Sequence, residues 1–66
     1  MSPDEFRNAL AALHWPARHV AEQTGYVPQL GHQWATGRSS VPADVAVWLR
    51  RLLDAHERLP PPKRAA

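Results

Sequence analysis

Four histidines are the first candidates for chemistry in this chain: His14, His19, His32 and His56. A metal site needs ligands gathered on one face, as in a His-Glu-x-x-His helix or paired cysteines. His14 and His19 stand five apart, which does not stack them on one helical face, and His32 and His56 fall on other segments. There is no cysteine, which removes zinc ribbons, iron–sulfur sites and thiol catalysis. Ser39 and Ser40 sit in a loop without a workable His/Asp arrangement, and Asp54 and Glu57 read as a solvated helix face, not a buried acid pair. Gly25, Gly31 and Gly37 are six apart, and each has a local helical explanation, so no phosphate-cradling loop is present. A chain of 66 residues is also too short to enclose a conventional pocket of roughly 300–1,000 Å³. The expectation is a protein that is not an enzyme, with no metal, no cofactor and no small-molecule ligand.

Length and charge bound what remains. Sixty-six residues make one small domain, which buries only about 60% of its unfolded surface. A composition 44% hydrophobic and 21% charged describes an ordinary globular domain, not a disordered chain. No apolar run approaches the ~20 residues of a membrane span. Met1-Ser2-Pro3-Asp4-Glu5 lacks the basic start and apolar middle of a signal peptide. A cytoplasmic domain with no membrane partner is therefore expected. Eight Lys/Arg against six Asp/Glu give a net charge of +2, and all the cations except Lys63 are arginines, which suit planar contacts with phosphate or carboxylate. That bias is compatible with a nucleic-acid partner without demanding one.

The elements that would position any site are punctuated by proline and glycine. Ser2 reads as an N-cap, Pro3 as the first helical position and Glu5 as the other half of a capping box. Phe6, Ala9, Leu10 and Leu13 then share one face, so a first helix runs to about Leu13. Pro16 opens a second, short helix lined by Ala17, Val20, Ala21 and Thr24 and ended by Gly25. Pro28 opens a third through about Ala35, stopped by Thr36-Gly37. The fourth begins near Pro42 with Asp44 in its first turn, and continues to about Arg58 before three prolines end it. No segment alternates with period two. The fold expected is all-α, a compact bundle of four, at most five, short helices over residues 1–59, followed by a flexible, proline-rich basic tail over residues 60–66.

On the fourth helix, Val45, Ala46, Trp48, Leu49, Leu52, Leu53, Ala55 and Leu59 occupy roughly half the circumference. Either this small domain wraps around its longest helix, or the outer edge of the stripe pairs with a second copy. Trp48, Leu52, His56 and Leu59 are the candidate dimer residues, His56 as a partly buried packing or edge residue. His14 and His19 read as ordinary surface residues, and Trp15 and Trp34 as packing residues.

Residues 17–36 hold the most information: a short helix, a tight turn centred on glycine, and a second short helix, the helix-turn-helix arrangement. Ala21 is small where the two helices cross, Gly25 supplies a positive φ, and Val20, Tyr26 and Trp34 lock the pair onto the rest. This segment resembles the helix-turn-helix of the phage lambda repressor/Cro-like (XRE-like) transcriptional regulators. Pro3-Asp4-Glu5-Phe6-Arg7, Trp34-Ala35-Thr36-Gly37-Arg38, and Val41-Pro42 ahead of Trp48-Leu49 extend the resemblance to roughly residues 3–59. The chain departs from the family at Val27, where a capping Ser or Thr is usual, at Thr24, where a larger apolar residue is usual, and at Gly31, where Val or Ile plugs the core. Glycine within a helix costs about 1 kcal/mol relative to alanine. Either the third helix rotates so that Leu30 and Trp34 fill the gap, or it is loosely held and firms up on binding.

The resemblance implies that the third helix enters the DNA major groove. Gln29, His32, Gln33 and Thr36 would then be the base-contact candidates, and Arg18, Pro28 at the helix N-terminus, Arg38, Ser39 and Ser40 the phosphate-contact candidates. Arg38 is the only charged residue over positions 24–42, which implies few phosphate contacts and a shallow salt dependence. The implied function is a small stand-alone repressor that binds double-stranded DNA as a homodimer on an inverted repeat. Two other readings stand beside it: the face of the third helix is merely solvated, or the fold is a protein-interaction module of antitoxin or inhibitor type.

Overall fold

The computed structural model describes residues 1–62, which form four helices: α1 (Pro3–Leu13), α2 (Ala17–Gln23), α3 (Pro28–Thr36) and α4 (Ala43–Arg58). Neither a fifth helix nor a strand occurs among the described residues. Lys63 and Arg64, the basic end of the expected tail, lie outside them, and residues 60–62 are exposed without regular structure. No helix of the described residues is long and apolar enough to cross a membrane.

Helix ends follow from the residues that stand there. Ser2 Oγ accepts the Glu5 N–H at 3.0 Å, and Asp4 and Glu5 put negative charge in the first turn of α1. The Glu5 carboxylate, the other half of the expected capping box, turns instead to Arg50. α1 ends on His14 in the left-handed region at φ 57°, with the His14 and Trp15 N–H groups reaching back to Ala11 O at 3.3 Å and Leu10 O at 3.1 Å. A histidine thus fills a position that usually takes glycine.

At the end of α2, Thr24 Oγ1 donates to Val20 O at 2.8 Å and Ala21 O at 3.1 Å. The polar residue that stands where a larger apolar one is usual thus turns its hydroxyl back on the helix, onto carbonyls that the Thr24 N–H also reaches at 3.2 Å each. Gly25 follows at φ 86°, turning the chain so that the Tyr26 N–H meets Ala21 O at 2.9 Å.

The core gathers around Trp34, which is 2% exposed. Phe6 and Tyr26 meet its ring edge-on, at centroid distances of 6.0 and 5.3 Å, and Val20, Val45 and Leu49 complete the buried set from α2 and α4. Burying one tryptophan contributes on the order of 4–6 kcal/mol as an upper bound, a large share for a domain of this size.

Gly31 is buried where α3 crosses the start of α2. A Cβ there would run into the Ala17 carbonyl and lie 2.9 Å from the Arg18 nitrogen. The expected gap is not there: the backbone of α2 itself occupies the place of the missing side chain. Gly31 is thus a second small residue at this crossing, beside Ala21, which is fully buried.

Two arginines brace this arrangement from outside. Arg7 of α1 donates to Ala35 O in the last turn of α3 and also pairs with Asp4. Arg50 of α4 grips Glu5 of α1 with two bonds, Nε to Oε2 at 2.8 Å and Nη2 to Oε1 at 3.0 Å. The guanidinium holds the Glu5 carboxyl below its ordinary pKa, and the carboxylate raises that of Arg50.

α4 packs only through its first half. Val45, Ala46 and Leu49 are buried, Leu52 and Leu53 half-buried, and every α4 residue from Asp54 onward exposed. His56 is solvent-facing, because the helix has left the core before reaching it, which removes the packing reading and keeps the edge one. Trp48 is 36% exposed, with one face stacked on Trp15 at 6.3 Å and 29°. His19, expected to be an ordinary surface residue, is half-buried and sits edge-on to Trp15 at 4.7 Å.

Candidate nucleic-acid interface

α2, the Gly25 turn and α3 form a unit whose outer surface belongs to α3. At 100° per residue, Gln29, His32, Gln33 and Thr36 fall within an arc of about 100°, opposite the side that carries Gly31 and Trp34 into the core. The burial follows this split: Gly31 and Trp34 are buried, whereas Gln29, His32 and Thr36 are exposed and Gln33 is half-buried. The close approach of Gly31 to Ala17 and the burial of Trp34 lie on the one side of α3, so the polar arc looks the other way.

The side chains of this arc differ in what they have left to offer. Thr36 Oγ1 donates to His32 O at 3.0 Å, so outwardly it can only accept. Gln33 Oε1 accepts the Ser39 hydroxyl at 2.7 Å, and the Ser39 N–H donates to the Gln33 main-chain oxygen at 3.3 Å. Gln29 and His32 have no side-chain hydrogen bond among the described residues. Ser39 was expected to offer its hydroxyl to a phosphate; that donor is instead committed to Gln33. Ser40, one residue on, is exposed.

Electrostatically the surface is neutral with a cation at either side. Arg18 near the start of α2 and Arg38 just after α3 are both exposed. The ion pairs of the described residues join Arg7 to Asp4, Arg50 to Glu5 and Arg58 to Asp54, leaving Arg18 and Arg38 unpaired there. Val27 gives α3 no side-chain cap and Pro28 carries no N–H, while the Leu30 N–H donates to Val27 O at 3.1 Å, so the Gln29 N–H is the uncapped amide at this end. No group of three or more His, Asp or Glu among the described residues could hold a metal ion.

The Ser39–Gln33 bond and the Arg7 clamp on Ala35 O were absent from the sequence reading. Their partners are far apart in sequence or separated by a turn; only the left-handed Gly37, φ 82°, folding Ser39 back toward α3, signals the first.

Fold and surface together define a small all-α domain of four helices that presents a neutral, hydrogen-bonding helix face, with exposed arginines near the start of α2 and just after α3. Compared with known proteins, the chain matches no family model, no curated protein and no solved structure. The likeness to lambda repressor/Cro-like regulators therefore rests on this chain's own residues.

Proposed function

We propose that this protein is a DNA-binding transcriptional regulator that lays α3 in the major groove, most simply as a repressor acting by occupancy. The observation that carries this reading is the outer face of α3: neutral hydrogen-bonding side chains on one arc, with no carboxylate over residues 24–42 to repel a phosphate backbone. Arg18 and Arg38 flank that face as phosphate ligands, and Gln29, His32, Gln33 and Thr36 meet base edges. A second copy joined through the exposed edge of α4 would present two α3 helices to an inverted repeat, with half-sites about 34 Å apart or a multiple of it.

A mobility-shift titration on the DNA upstream of the coding sequence tests this, run against salt and unrelated competitor. A shift that survives excess competitor and is lost in the Gln29→Ala/Gln33→Ala protein supports sequence-specific binding through α3. The absence of a specific shift overturns it. A protein-interaction module is then the reading favoured by Leu59, 82% exposed, and the half-exposed Trp48 on the same side of α4.

A further inference from the structure

We infer that Ser39 decides which base edge Gln33 reads, turning one of two like glutamines from adenine toward guanine. This rests on the DNA-binding reading above and adds to it the specificity of a single position. A free glutamine reads adenine through both ends of its carboxamide, the oxygen accepting from N6 and the nitrogen donating to N7. Gln29 is exposed and makes no side-chain hydrogen bond among the described residues, so it keeps both ends. Gln33 does not. Its Oε1 takes the Ser39 hydroxyl at 2.7 Å, and its main-chain oxygen takes the Ser39 N–H at 3.3 Å, so one loop residue holds it at two points.

The carboxamide is planar and rigid, with oxygen and nitrogen both carried on the Cδ atom, so fixing the direction of one fixes that of the other. Drawing the oxygen toward the half-buried Ser39 turns the amino group outward, presenting two N–H donors. Two donors complement the paired acceptors of guanine, O6 and N7, and set a donor against the N6 amino group of adenine. Ser39 touches no base in this account. It is a positioning residue that acts through Gln33, and Gly37, by folding the chain back in the left-handed region, delivers it.

The test is selection of bound duplexes from a randomised pool by the wild-type chain and the Gln33→Ala, Ser39→Ala and Ser39→Thr variants, with thermal stability measured in parallel. The position whose preference vanishes in Gln33→Ala is the one read by Gln33. There the wild type is expected to select guanine over adenine by about tenfold. Ser39→Ala is expected to erase or invert that ratio at this position alone, while Ser39→Thr, which keeps the hydroxyl, preserves it. Adenine selected there by the wild type overturns the inference, as does a motif unchanged in Ser39→Ala or a loss of affinity spread evenly over all sequences. A purely structural Ser39 would lower the melting temperature and leave the base ratio intact, which also overturns it. Failure of the wild type to select any motif is a different result: it overturns the DNA-binding reading itself.

Discussion

The Cα of Gly31 lies so close to the carbonyl of Ala17 that a methyl group between them would overlap the Ala17 oxygen. This close approach lies on the buried side of α3, with Trp34, and opposite the polar arc. Gly31→Ala therefore tests the seating of the candidate interface. Alanine favours the helix by about 1 kcal/mol, but the clash is with backbone, which cannot swing aside as a side chain can. A net destabilisation of about 2 kcal/mol is expected, a fall in melting temperature of roughly 10 °C by circular dichroism. A variant as stable as the wild type would mean that α3 can slide without cost.

His14 offers the opposite sign. It is held at φ 57°, a conformation that burdens any residue with a Cβ by roughly 1–2 kcal/mol, and its side chain is exposed. Glycine there removes the strain and restores part of it as unfolded-chain entropy. The net expectation for His14→Gly is a gain of up to about 1 kcal/mol, seen as a rise of several degrees in melting temperature. His14→Val should lose stability instead.

The Glu5–Arg50 pair predicts an acid dependence. The folded protein holds the Glu5 pKa below its ordinary value, chiefly through the Arg50 hydrogen bonds. The unfolded chain therefore takes up the proton first as pH falls, and stability drops with it. The contribution is complete above the ordinary glutamate pKa of about 4.3 and is lost as pH falls through the lowered folded value. Urea titrations from neutral pH downward should show the gap between wild type and Glu5→Gln closing on acidification. A gap that stays constant would mean that Arg50 does not distinguish the two charge states.

Dimerisation through α4 is best tested at Leu59, because that residue is 82% exposed and outside the core, whereas Leu52 is half-buried and Trp48 rests on Trp15. Leu59→Glu should leave helicity unchanged and weaken self-association about tenfold in sedimentation equilibrium. A wild-type chain that stays monomeric at every concentration would remove the second copy from this face.

Local signals were enough to place the helices. Pro3, Pro16, Pro28 and Pro42 mark the starts, Ser2 caps the first, and Gly25 and Gly37 mark turns, because φ restriction and capping act within a few residues of where they are written. Periodicity likewise identified Phe6, Val20 and Leu49 as core and assigned Trp34 to packing, since a residue's side of a helix depends only on its spacing.

What only the tertiary structure decided are relations between elements. Gly31 read as a missing side chain until the backbone of Ala17 was found in its place. Ser39 read as a free hydroxyl until Gly37 folded it onto Gln33, and His56 as a packing residue until α4 left the core at Leu53. In each case the deciding atom belongs to another segment, or the packing stops where no residue pattern marks an end. A helical period tells which residues share a face; it does not say how far the neighbouring helix extends to cover it.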